Sequence, residues 1–155
     1  MIPKVDMMKA FDFVSWQFLS KLLCKFGFSG WFISLVMNNL QGAWFSVLIN
    51  GKPFGFFQGE RGVKWDPLSS YLFLLVTEAF NRGLNALLLT GKLSPFGLPR
   101  ECIPITHLSF ADDVLLFMKG EWIDIKSLLE FLDTYQVGSG QRINKNKSFF
   151  IISLQ

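Results

Sequence analysis

Apolar residues along the chain recur with two different periods, and the changes of period mark out its elements. Lys4-Val5-Asp6 reads as the end of a short strand. After Asp12, the residues Val14, Phe18, Leu22 and Phe26 recur every four positions, an apolar helical face that stops at Gly27. A second helical stretch covers about Trp31 to Leu40. Trp44 to Asn50 then alternates like a strand into Asn50-Gly51, a dipeptide suited to a tight hairpin, and Lys52 to Phe57 returns as its partner. The loop Gly59-Glu60-Arg61-Gly62 has the freedom to approach a ligand. Asp66-Pro67 opens a long helix, with Asp66 placed to cap free amides and Pro67 suited to the first helical position. Leu93 to Pro104, with three prolines, reads as an exposed connection. Gly120 precedes a last helix whose face includes Ile125, Leu128, Leu129, Leu132 and Tyr135, ended by Gly138 and Gly140. Ile143 and Phe149 to Leu154 complete the sheet. Strands separated by helices, with hairpins inserted, predict an α+β layer with helices on one face.

Between Ser109 and Phe117 an apolar run is broken by two adjacent carboxylates, Asp112 and Asp113. Read as a hairpin, Ala111-Asp112-Asp113 offers no glycine for the positive φ that a tight turn needs. Like charges side by side at a hairpin tip repel, and a divalent cation is a common offset. A solvated turn is the plainer alternative. Asp6 supplies a third carboxylate if its strand lies beside the hairpin, and carboxylates converging from two distant segments suit a pair of Mg²⁺ ions about 3.5–4 Å apart.

Composition narrows the picture without deciding it. The 155 residues are enough for one domain with a sizeable core, and a net charge of +3 is compatible with nucleic acid without pointing to it. Arg142, Lys145 and Lys147 form a local basic excess that follows a phosphate backbone or merely solubilises a strand edge. Eighteen phenylalanines in a chain that is 50% hydrophobic imply surface meant for neighbours. Tyr71 to Leu89 is the most apolar helix, yet it carries Glu78, Asn81 and Arg82, so no membrane span is expected, and no signal-peptide pattern opens the chain. Cys24 and Cys102 lack paired spacing and read as ordinary buried thiols. His107, the only histidine, is expected to be structural or solvent-facing.

Four stretches taken together carry a resemblance. Asp6-Met-Met-Lys-Ala-Phe-Asp12, Asp66-Pro-Leu-Ser-Ser-Tyr-Leu-Phe73, Phe110-Ala-Asp-Asp113 and Ser139-Gly-Gln-Arg-Ile-Asn144 with Lys147-Ser148 resemble, in order and spacing, the palm motifs of reverse transcriptases. The wording, including Ile49-Asn-Gly-Lys-Pro-Phe-Gly-Phe56, is similar to LINE-type non-LTR retrotransposons of plants. The resemblance implies a polymerase palm, a ferredoxin-like or RRM-like antiparallel sheet. It implies an RNA-directed DNA polymerase using an RNA template, a DNA primer and deoxynucleotide triphosphates, with a nuclear location. Residues 1–155 are then expected to be a palm fragment, lacking fingers and thumb and inactive alone.

For the site, the resemblance implies that Asp6 and Asp112, with Asp113 beside them, hold Mg²⁺ or Mn²⁺. Phe11 matches the bulky residue that packs under the sugar and excludes a 2′-hydroxyl; a core aromatic is the alternative. Arg61, Lys64 and Asp66 border the incoming nucleotide, and Lys147 touches or protonates the leaving phosphate unless it is merely solvated. Asp12 is expected to cap the following helix. One departure stands out: where the family carries Gln-Gly before the long helix, this chain has the single Trp65, a large ring in place of a glycine. The rival readings are a non-catalytic RRM-like nucleic-acid-binding module and a retroelement relic that does not fold.

Overall fold

The computed structural model describes residues 1–63, 68–96 and 105–151. The chain runs β1 (Ile2–Met8), α1 (Trp16–Lys25), α2 (Gly30–Gly42), β2 (Trp44–Ile49), β3 (Lys52–Gln58), α3 (Ser69–Leu89), β4 (His107–Phe110), β5 (Asp113–Leu116), α4 (Trp122–Ser139), β6 (Arg142–Ile143) and β7 (Phe149–Ile151). The main sheet has the order β4-β5-β1-β6, with β7 also paired to β1, and every pairing is antiparallel. Taking β6 and β7 as one interrupted last strand, the path β1, helix, β4-β5 hairpin, helix, β6/β7 is the ferredoxin-like βαββαβ order. The expected α+β sheet is therefore observed. Helices α1 and α2 and the separate β2-β3 ribbon are inserted between the first strand and its crossover helix α3.

Alternation along the strands decides which face is covered. Val5 and Met7 on β1 and Val114 and Leu116 on β5 are buried, and they meet Leu19, Leu22 and Leu23 of α1, Leu72, Val76, Phe80 and Leu84 of α3, and Leu128 and Leu132 of α4. Each fully buried leucine of this kind is worth about 1.5–3 kcal/mol relative to leaving it in water. The residues between them, Lys4 and Asp6 on β1 and Asp113 and Leu115 on β5, are only partly buried and lie on the open face. Helix α3 is long and apolar enough, by length and composition, to cross a membrane. Here it is the core helix, and it carries the Glu78–Arg82 ion pair at 2.8 Å.

Several boundaries differ from the sequence reading. Strand β1 continues two residues past Asp6, because Met7 and Met8 pair with Ile143 and Arg142. Helix α1 starts at Trp16 and is capped by Ser15, whose side chain accepts from the Phe18 amide, so Asp12 is not its cap. Its buried face is Leu19, Leu22 and Leu23; Val14 lies before the helix and Phe26 ends it. Helix α3 starts at Ser69 with Leu68 in the cap position; Asp66 and Pro67, expected to open it, lie outside the described residues. Gly138 is inside α4, and Gly140 alone ends it at φ 78°. Leu129, expected on the buried face of α4, is half-exposed. Cys24 is exposed rather than buried, since it sits on the outer face of α1; Cys102 lies outside the described residues.

The hairpin at Asn50-Gly51 is as expected, with φ of 50° and 77°. Its ribbon leaves Trp44, Leu48, Phe54 and Phe56 between 62% and 72% exposed, which accounts for much of the apolar excess in the composition.

Candidate active site

The β1-β5 register sets the backbones of the two acidic segments side by side. Asp6 lies directly opposite Asp113, with Lys4 opposite Leu115, and the Met7 amide donates to the Asp112 carbonyl at 2.8 Å. Phe110 pairs with Asp113, so Ala111 and Asp112 alone make the turn between β4 and β5. Ala111 takes φ of 50°, the position where a two-residue turn prefers glycine. A second non-glycine at positive φ, Lys9 at 45°, follows Asp6 by three residues. Each such residue costs about 1–3 kcal/mol and persists only where its surroundings hold it. Two such residues thus border the carboxylate pair, one at each end.

The electrostatics of the pair are asymmetric. Lys4 Nζ stands 3.0 Å from Asp113 Oδ2, in a pair whose side chains are 27% and 44% exposed, and 5.9 Å from the Phe149 ring centre. The other oxygen, Asp113 Oδ1, is buried and has no hydrogen-bond partner. Burial of a carboxylate oxygen without a donor is costly unless a cation compensates. Among the described residues, no group of three or more His, Cys, Asp or Glu side chains closes into a ready-made metal cage.

A loop from the far end of the chain fixes Asp6 from the other side. The Asp6 amide donates to Ser148 Oγ at 3.1 Å, the Asn144 amide donates to the Asp6 carbonyl at 2.9 Å, and Ser148 Oγ donates to the Asn144 carbonyl at 2.8 Å. Lys147 is exposed on this loop, one residue from Ser148.

Phe11 follows β1 and stacks on Phe73 of α3, with ring centres 4.2 Å apart and planes 24° apart. Its loop is gripped on two sides. The Gly62 amide donates to the Val14 carbonyl at 2.8 Å, and the Val63 amide to the Phe11 carbonyl at 2.9 Å, which brings Arg61 alongside. On the other side buried Gln141 donates from Nε2 to the Ala10 carbonyl at 3.0 Å and accepts from the Tyr135 hydroxyl at 2.6 Å. Burial holds the Tyr135 phenol well above its ordinary range.

Of the residues expected at the site, the backbone register sets Asp6 opposite Asp113 with Asp112 in the adjoining turn, Lys147 sits on a loop bonded to the Asp6 backbone, and Phe11 and Arg61 share the loop cluster beyond β1. Lys64, Trp65 and Asp66 lie outside the described residues. His107 opens β4, with Nδ1 2.8 Å from Thr106 Oγ1. Partial burial lowers its pKa, opposed by Glu78. Sequence reasoning missed Lys4 and Gln141. Lys4 was legible as the residue two before Asp6, on the same strand face.

A ferredoxin-like sheet that gathers carboxylates from its first strand and its central hairpin onto an open face defines a polymerase palm. The chain belongs to the reverse transcriptase (RNA-dependent DNA polymerase) family, whose profile matches residues 1–153, and the relatives it resembles include Pol polyproteins of retrotransposable elements. It is 27% identical over 147 residues to the retrovirus-related Pol polyprotein from type-1 retrotransposable element R2 of Popillia japonica, covering 94% of this chain and 23% of that protein. It is 30% identical over 154 residues to the Pol polyprotein from type-2 retrotransposable element R2DM of Drosophila melanogaster, covering 97% of this chain and 13% of that one. The chain thus spans less than a quarter of these relatives. In fold it is similar to an apo telomerase from Candida tropicalis truncated from its C-terminal domain, with a TM-score of 0.67 at 13% identity, over 96% of this chain and 30% of the telomerase chain.

Proposed function

We propose that this chain is the catalytic palm of an RNA-directed DNA polymerase, acting on an RNA template, a DNA primer and deoxynucleotide triphosphates once fingers and thumb complete it. The observation that carries the reading is the register that sets Asp6 against Asp113 with Asp112 in the adjoining strained turn. Reverse transcriptases generally use divalent metal ions, and the residues here fit such an ion. The donors are all carboxylate oxygens, the type that Mg²⁺ and Mn²⁺ prefer, and one of them, Asp113 Oδ1, is buried with no partner. Asp6 and Asp112 would be the principal ligands, with Asp113 beside them, partly neutralised by Lys4. When bound, the metal pair would supply a lowered pKa at the primer 3′-hydroxyl and charge stabilisation on the triphosphate.

The protein's own part is positioning. The Asn144–Ser148 loop holds the Asp6 backbone on both its amide and its carbonyl, which fixes the strand from which the carboxylate projects. Phe11, braced against Phe73, presents a rigid ring under the nucleotide sugar and excludes a 2′-hydroxyl. Exposed Lys147 is free to approach the leaving phosphate.

One observation favours the second reading, an RRM-like binding module. Phe110 is 86% exposed and Phe149 51% exposed, and both lie on the open face of the sheet, where bases can stack. The acidic centre of that face repels phosphate, which favours the metal-dependent reading. Primer extension by a chimera carrying this palm within an intact fingers-palm-thumb framework tests it. Synthesis must require Asp112, and Phe11→Val must raise ribonucleotide incorporation. Template-dependent synthesis that survives Asp112→Asn rules out the catalytic reading.

A further inference from the structure

We infer that Arg61 and Arg142, stacked on Phe13, form a phosphate-binding site for a nucleic-acid strand at the carboxylate end of β1. The inference rests on the nucleic-acid reading above and adds a site to it. Three segments build it. Phe13 lies in the loop after β1, Arg61 in the loop after β3, and Arg142 at the start of β6 opposite Met8. The guanidinium carbons of Arg61 and Arg142 stand 5.2 and 5.1 Å from the one Phe13 ring centre.

The backbone makes this convergence obligatory. A Cβ on Gly62 would lie 2.9 Å from the Asp12 carbonyl oxygen, and one on Gly140 would lie 2.7 Å from the Phe13 carbonyl oxygen. Both glycines have positive φ, 92° and 78°, so each closes its loop onto the Phe13 segment in a way other residues resist. Trp16 Nε1 donating to the Gly62 carbonyl at 2.7 Å and the Ser15 amide donating to the Ser139 carbonyl at 2.8 Å lock both loops in place.

A guanidinium stacked on a ring keeps its in-plane N–H donors free for phosphate oxygens. Both side chains are exposed, and among the described residues neither enters an ion pair. Arg82 shows the contrast: it stacks on Phe26 at 4.8 Å, but its guanidinium is already engaged by Glu78. Two unneutralised cations gathered on one ring call for an anion. Arg142 lies one strand across and two residues along from Asp6, on the order of 8 Å through the sheet. A strand held there passes beside the carboxylates. The shared chemistry is phosphate, and two exposed guanidinium groups from separate segments fit a phosphodiester strand running past both rather than a free triphosphate.

Fluorescence anisotropy with a labelled single-stranded RNA, using the chain as it stands over a series of KCl concentrations, tests the site. The Arg61→Ala/Arg142→Ala double variant should bind more weakly, with the slope of log K against log[KCl] reduced by about 1.4, two phosphate contacts at about 0.7 each. Arg82→Ala should leave the slope unchanged. Phe13→Leu, which keeps both charges but removes their platform, should weaken binding less than the double variant. An unchanged slope in a double variant with wild-type circular dichroism overturns the site. Displacement of the RNA by equimolar deoxynucleotide triphosphate overturns the assignment to a strand. Retained Mn²⁺ binding by the double arginine variant separates failure of this site from failure of the metal-dependent reading.

Discussion

Gln141 is the buried link between the last helix and the loop that carries Phe11, and replacing it with leucine isolates what that link is worth. The side chain is 3% exposed, donates to the Ala10 carbonyl at 3.0 Å and accepts from the Tyr135 hydroxyl at 2.6 Å. Leucine has a similar volume, so no large cavity opens. Two buried polar groups, however, lose their partner. An unsatisfied buried group costs about 1–3 kcal/mol. The Tyr135 hydroxyl keeps a long contact to the Val76 carbonyl at 3.4 Å, which places its share at the lower end. The sum is about 2–4 kcal/mol, and with an unfolding entropy near 2.1 cal/mol/K per residue this lowers Tm by about 6–12 °C. Calorimetry measures the shift. Hydrogen exchange at Gly62 and Val63, whose amides bond to the Phe11–Val14 loop, should accelerate in the same variant, because the loop has lost one of its two grips. In the Tyr135→Phe/Gln141→Leu double variant the hydroxyl is gone as well, so its cost should fall below the sum of the two single variants. A Tm loss under about 2 °C, or strict additivity in the double variant, would refute the reasoning.

Two further predictions follow from the charges. Lys4→Met removes the ammonium that competes for Asp113 and should tighten Mn²⁺ binding about two- to fivefold, the equivalent of a partly exposed ion pair worth about 0.5–1 kcal/mol; titration calorimetry showing equal or weaker binding contradicts it. His107 has a folded-state pKa lowered by burial, so its neutral form is favoured in the fold. Its effect on stability is absent above the ordinary value of about 6.5, and stability falls as the pH drops through that value toward the folded pKa. Melting between pH 7.5 and 5.5 should therefore show a drop that His107→Gln reduces, and an equal drop in the variant rejects the assignment.

The elements were legible wherever local chemistry acts alone. Asn50-Gly51 announces its turn because both residues tolerate positive φ, and Gly27 ends α1 for the same reason. At the candidate site the residue types alone left a solvated turn open for Asp112 and Asp113, and it is the register of Asp6 against Asp113 that sets the two acidic segments side by side. Long-range pairing was not legible. Asp6 was read as a strand end, and only its neighbours Met7 and Met8, paired with a segment more than 130 residues away, extend β1 past it. Asp12 looked like a helix cap because the pattern of Val14 and Phe18 implied an earlier start, whereas the closing of the Gly62 and Gly140 loops onto residues 11–15 delays the helix to Trp16. Lys4 gave only its place two residues before Asp6 on the same strand face, and Gln141 gave no signal of its own, because each matters only through what the fold brings beside it.

The central claim is that Asp6 and Asp112, from two distant segments, form one divalent-metal site, and Mn²⁺ titration of the folded chain tests it most directly. Wild-type protein should bind weakly, because carboxylates without a triphosphate leave the ion largely hydrated. The Asp6→Asn/Asp112→Asn double variant should lose that binding while keeping its circular dichroism spectrum, and an Asp133→Asn control on α4 should bind as the wild type does. Unchanged Mn²⁺ affinity in the folded double variant would contradict the account.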